Sequence, residues 1–361
     1  MNPTRRNILQ VAAAGGAAGL LAYAGHGQEA APPPAQTGAD FITPETQAAI
    51  ERGLAFLSHW LSDDGYIASS AAVGITSLAG LALMAGGHQP GRGRHGRSVS
   101  KAIDFVLAAG AAGTPGFLAT GTAPAAFRNS ETGAMYSHGF GCLFLSEVCG
   151  MLPDKARQKK VKEMLEQAIA YTVEARNKDG GWRYVPRTDA DVSVTVAQMM
   201  ALRAAKNAGI FVRKNVIDDG VAYIRACQMT DGGFSYWKGS GYSGFARSAA
   251  AIVGLNSAGI YSGRDIERGL RYVQQFLPGR QFNSREMNLH YYYGQYYAAL
   301  AMWTAGGEYW NQWFPAIRDD LLGRARSGAG IWNDNNGQAY ATAMSLIILQ
   351  LPNNYLPILQ K

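Results

Sequence analysis

The sequence predicts an all-α protein: six helical hairpins closed into an α/α toroid, with an inner and an outer ring of helices. Three observations predict it. A unit of about 53 residues recurs across residues 44–361. The second helix of each unit is apolar all round, as in Ala71–Ala85, Ala246–Ala258 and Ala339–Leu349, and such a helix must be buried on every side. Alternating strand patterns are absent outside Asp191–Thr195.

Composition agrees. Of 361 residues, 47% are hydrophobic and 16% charged, which excludes a disordered or coiled-coil chain. The net charge of +7 is scattered and falls by two without Arg5 and Arg6, so nucleic-acid binding is not expected. Three cysteines are too few for a disulfide scaffold. Cys142 and Cys149, seven residues apart on one helix, lie about 10 Å apart along its axis, too far to bridge.

Residues 1–24 read as a twin-arginine export signal. Arg5-Arg6 precedes an Ala- and Gly-rich apolar run, Val11 to Leu21, and Ala22-Tyr23-Ala24 supplies a cleavage site. The expected location is the periplasm or cell envelope, with no membrane span after processing. Residues 25–43, with Pro32-Pro33-Pro34, read as a solvated linker. The single toroid domain then occupies 44–361.

The first hairpin carries a charged outer helix around Glu51-Arg52, the turn Asp63-Asp64-Gly65-Tyr66 and the inner helix Ala71–Ala85. A basic connector follows, Gly86 to Arg97. The second hairpin, about 98–151, contains a long stretch, Gly110–Tyr136, of the length found in lids and binding loops. The third and fourth hairpins have the clearest turns, Asp179-Gly180-Gly181-Trp182 and Asp231-Gly232-Gly233-Phe234, 52 residues apart. The fifth, 264–307, has its turn reduced to Gly279-Arg280-Gln281-Phe282, and the sixth turns at Gly328-Ala329-Gly330-Ile331-Trp332. In these turns Gly supplies the left-handed conformation, Asp binds the free amides beyond it, and the aromatic plugs the seam between hairpins. Aligning the second helices puts Thr76, His138, Thr195, Ser248, Gln295 and Thr342 in one column, 47 to 62 residues apart.

Gln228-Met229-Thr230-Asp231-Gly232-Gly233-Phe234 resembles the QxxDGGW repeat of squalene and terpene cyclases, with Phe in place of Trp, and Asn177-Lys178-Asp179-Gly180-Gly181-Trp182 resembles it too. The pattern also recurs in protein prenyltransferase β subunits. Met135-Tyr136-Ser137-His138-Gly139-Phe140, Asp191-Val192-Ser193-Val194-Thr195, His290-Tyr291-Tyr292-Tyr293-Gly294 and the ending Leu351 to Pro357 are similar to exported single-toroid proteins of planctomycete-like bacteria. The resemblance spans residues 44–361. It implies the toroid and, in less specific terms, an isoprenoid-related activity, because function sits in a site rather than in a fold.

Chemistry is expected where the inner helices begin, since six parallel N-termini give a positive mouth. Protonating cyclases resemble one another in a DxDD motif just before an inner helix, and Thr188-Asp189-Ala190-Asp191-Val192 stands there. Read directly, it keeps two acids and lacks the last. Aligned on the helix that follows, Asp191 matches only the first acid and Ser193 replaces the proton donor. Asp191 or Ser193 also suits a helix cap. The candidate catalytic residues are therefore Asp189, Asp191 and His138, and the candidate ligand-binding residues are Arg247, His290, Tyr293, Gln295 and Tyr340. His138, His290, Asp191 and Cys142 are metal-ligand types, but their spacing gives no support for zinc, and neither metal nor cofactor is expected. The function expected is an exported toroid binding a hydrophobic, anionic or isoprenoid-type small molecule in its central cavity, as terpene cyclases and prenyltransferases do, with catalysis left open by the incomplete motif. The alternative is a non-catalytic scaffold in the cell envelope that docks a protein partner; a carbohydrate-active α/α barrel ranks third, for want of a second carboxylate across the cavity.

Overall fold

The computed structural model describes residues 41–68, 70–119, 134–239, 241–280, 284–325 and 329–360, all within one compact unit, Gln36–Lys361. The export signal and nearly all of the linker lie outside the described residues, as does much of the long stretch before His138. Among the described residues are thirteen α-helices, two short 3-10 turns and no strand. The helices are α1 (Pro44–Trp60), α2 (Ala72–Ala85), α3 (Gly96–Ala112), α4 (Ala134–Val148), α5 (Lys155–Glu174), α6 (Val192–Asn207) and α7 (Lys214–Ala226). They continue with α8 (Phe245–Ser257), α9 (Arg264–Gln274), the one-turn α10 (Ser284–Asn288), α11 (Tyr291–Ala305), α12 (Gly307–Arg324) and α13 (Gln338–Leu349).

Six of these form the inner ring. The helix α2 packs on α4, α4 on α6, α6 on α8, α8 on α11, α11 on α13, and α13 returns to α2. Their apolar sequences explain this placement: all fourteen residues of α2 are buried, and so are ten of the twelve in α13. The outer helices α1, α3, α5, α7, α9 and α12 bury one stripe each and keep their charges in solvent. Each outer helix packs on the inner helix before it, and α1 closes the ring by packing on α13.

The turns build the ring. At Gly232 the backbone has φ +94°, which an L side chain rarely adopts, and an added Cβ would lie 2.7 Å from the carbonyl oxygen of Arg268 on α9. Gly65 and Gly180 likewise dock on the next outer helix without room for a methyl, whereas Gly279 in the fifth hairpin has open space beside it. The sixth turn docks on the first outer helix: Gly330, φ +65°, would press a Cβ to 2.3 Å from the Ala49 oxygen on α1. Asp231 binds the amide of Gly233 at 3.0 Å, as the sequence suggests. In the third hairpin the acceptor is Asn177 instead, bound by the amides of Asp179 and Gly181, because Asn177 stands two residues earlier in the same loop. The aromatics Trp182, Phe234 and Trp332 are wholly buried in the seams.

The aligned column has a shared structural task. The amide of Ile67 donates to Thr76 Oγ1, that of Leu118 to His138 Nδ1, and that of Trp182 to Thr195 Oγ1. Phe234 N–H donates to Ser248 Oγ, and Trp332 N–H to Thr342 Oγ1, all within 2.7–3.2 Å. One side chain on each of five inner helices thereby staples the incoming turn. Gln295, in the fifth hairpin, is fully buried and its two polar atoms have no partner among the described residues.

The end opposite the turns is crossed by the C-terminal segment. Ile358 N–H donates to Glu147 Oε2 at 3.3 Å, and Gln350 Nε2 donates to the carbonyl of Ala82. Burial pushes the Glu147 carboxyl up to about 7.

Candidate functional site at the mouth of the inner ring

The staples face outward, towards the turns. Two residues earlier, about 200° round each helix, the side chains face the axis. That inward set is Gly74, Tyr136, Ser193, Ala246, Tyr293 and Tyr340. Tyr136 on α4 and Tyr293 on α11 come from helices that are not neighbours in the ring, yet their ring centroids lie 6.3 Å apart, edge to face. One layer deeper, Phe140 and Tyr296 meet across the same axis at 6.4 Å. The bore is therefore bridged by aromatic side chains, and Tyr136, Tyr293 and Tyr340 form a partly exposed floor beneath the mouth. The hydroxyls of Tyr293 and Tyr297 are buried, that of Tyr293 among the side chains of Ser193, Tyr136 and Tyr297, and burial holds both phenols well above their ordinary range.

Asp191 stands beside this floor. It is the N-cap of α6: its Oδ1 accepts from Val194 N–H at 2.8 Å. Its Oδ2 accepts from the Tyr236 hydroxyl at 3.3 Å and lies 3.9 Å from Arg183 Nε. The carboxyl is 0% exposed, and burial pushes it up to about 6 against the opposing pull of the Val194 amide and Arg183. Arg183 also pairs with Asp189 at 2.8 Å and lies 5.5–5.8 Å from the ring centroids of Tyr184, Tyr236 and Trp237. The hydroxyls of Tyr184 and Tyr236 are 2.5 Å apart, so a hydrogen-bonded line runs from the rim to Asp191.

The other residues singled out from sequence are dispersed. Asp189 is exposed and bound to Arg183. His138 points outward from the bore: it accepts from Leu118 N–H, its Nε2 is 2.8 Å from Thr172 Oγ1, and burial pushes it down to about 3. Cys142 Sγ lies 3.7 Å from His138 Nε2. His290 is exposed, with φ +57°, and ends the loop before α11. Arg247 bonds the carbonyls of Phe234 and Tyr242 and lies over the Tyr242 ring. Gln295 faces the outer seam with the staples. Tyr293 and Tyr340 face the axis. Among the described residues no three His, Cys, Asp or Glu side chains come together as a metal ion requires, and no helix is long and apolar enough to cross a membrane.

Arg183, Tyr184, Tyr236 and Tyr136 are members of the site that the sequence reading did not single out. The repeat carries the signal for them. Tyr184 and Tyr236 each stand two residues after a seam aromatic, and Tyr136 shares its place with Tyr293 and Tyr340.

No family model and no curated protein sequence matches this chain. Solved structures do. The type II terpene cyclase MstE from Scytonema superposes with a TM-score of 0.56 at 14% identity, over 87% of this chain and 100% of that one. The chain has a terpene-cyclase-like α/α-toroid fold. A variant of MstE in complex with geranylgeranyl dihydroxybenzoate, its substrate, gives the same score at 13% identity over 86% and 98% of the two chains. A protein from Actinoplanes superposes with a TM-score of 0.51 at 14% identity, over 86% and 99%.

Proposed function

We propose that this toroid binds a hydrophobic, isoprenoid-type small molecule at the mouth of its inner ring, and that binding rather than proton transfer is its task. The observation that carries this reading is the floor of Tyr136, Tyr293 and Tyr340. It presents aromatic faces to an apolar chain. Exposed apolar side chains on the surrounding loops, Val185, Trp237, Tyr242 and Leu289, extend the contact surface outward. The MstE fold with its geranylgeranyl substrate supports the ligand class by analogy.

Proton transfer is disfavoured by the state of Asp191. A general acid must direct a protonated oxygen at the reacting atom. Here one oxygen caps α6, the other accepts from Tyr236, and Arg183 favours the charged form. Isothermal titration of the full chain with geranylgeraniol in dilute detergent tests the proposal. Saturable binding is expected, weakened about tenfold or more by Tyr293→Ala and unchanged by Asp191→Asn. Absence of saturation sinks the binding reading. Conversion of the prenyl chain that disappears in Asp191→Asn would replace it with an enzymatic one.

Placement in the cell envelope by the twin-arginine route is part of the same proposal, supported by Arg5-Arg6 and the small residues Ala22-Tyr23-Ala24. Changing Arg5 and Arg6 together to Lys should retain the precursor inside the cell, and unchanged secretion would show another route.

A further inference from the structure

We propose that the groove beside Phe211 is a two-fold interface between copies of this chain. Phe211 lies in the connector between α6 and α7 and is 84% exposed, the most exposed of the large apolar side chains described. Beside it, between the connector and α5, runs a groove of about 420 Å³ floored by Ile169, Ala170, Val173 and Ile210. Glu166, Glu174 and Arg213 stand on its rim. A two-fold contact pairs a patch with itself, so the patch must carry its own complement. This one does so twice: a projecting phenyl beside an apolar groove, and a cation beside two carboxylates. Arg213 has no ion pair among the described residues. Glu166 and Glu174 hold only exposed neighbours, Lys162 at 3.9 Å and Arg187 at 3.4 Å, which exchange at little cost. Across the axis Phe211 enters the partner's groove and Arg213 meets the partner copy's glutamates. The two rim carboxylates argue against an anionic bilayer as the occupant.

Sedimentation velocity on the full chain tests this, with circular dichroism confirming that each variant keeps its helix content. The expected result is a species of twice the chain's mass. Phe211→Asp should raise its dissociation constant about tenfold or more, Arg213→Glu should weaken it too, and Glu166→Lys with Glu174→Lys added to Arg213→Glu should restore it. A monomer at the highest soluble concentration overturns the proposal. So does a dimer that Phe211→Asp leaves intact, or Phe211-dependent binding to anionic vesicles by a chain that stays monomeric.

Discussion

Asp191 holds together three things that a side chain of its size rarely combines: a helix cap, a contact with a tyrosine hydroxyl and a neighbouring guanidinium. Its environment also makes it a pH sensor of stability. Burial raises its folded-state value to about 6, above that of the unfolded chain. Between about pH 4 and 6 the folded chain holds a proton on Asp191 that the unfolded chain has lost, so the contribution of this group to stability falls as pH rises through that window and levels off above it. Chemical denaturation across this range should show the stability of the native chain falling relative to that of Asp191→Asn, which keeps the cap, as pH rises from about 4 to 6. Asp191→Ala loses the cap and should cost about 1 kcal/mol or more at every pH. Because its two oxygens are committed inside the protein, the acid pair visible in Thr188-Asp189-Ala190-Asp191 divides in the structure. One member is buried and structural, the other is exposed and paired with Arg183. Sequence spacing alone does not separate these, since adjacent loop residues turn to opposite environments.

At the scale of the element, the hairpin is defined by its staple. In five of the six hairpins a hydroxyl or imidazole near the start of the inner helix takes an amide of the incoming turn. Thr195→Val keeps the shape of the side chain but leaves the buried Trp182 N–H unpaired, so it should destabilise the chain by about 1–3 kcal/mol, whereas Thr195→Ser should lose much less. Thermal unfolding of the pair distinguishes hydrogen bonding from packing. The staple column was legible in the sequence because hairpins of near-constant length bring polar residues into register on helices otherwise apolar. Its meaning was not. Six polar residues at the start of six buried helices look like a binding mouth until the facing turn amides are seen. For that reason His138 belongs to a seam, while the axis-facing Tyr136, two residues earlier, lies at the mouth. Tyr136, quoted above only within a longer motif, reads from sequence as packing, as a tyrosine on a buried helix does; its contact with Tyr293 across the bore appears only in the structure.

At the scale of the whole molecule, closure is the property that the repeat count and the apolar inner helices foretold, and its chemistry is concentrated where α1 meets the sixth hairpin. Gly53, buried in the middle of α1, tests it. In an open array Gly53→Ala would stabilise the helix by about 1 kcal/mol through propensity alone. Here the new methyl would sit 2.7 Å from the Gly330 oxygen and 2.9 Å from Leu346, so the substitution should instead destabilise by about 1–3 kcal/mol in equilibrium unfolding. The same seam has a consequence for how the chain is made. Of the described inner and outer helices a ribosome delivers α1 first and α13 last, so α1 waits for nearly all of the ring before its apolar stripe is covered. The ring cannot be finished hairpin by hairpin in order of synthesis; the first of its helices to be made is among the last to be sealed.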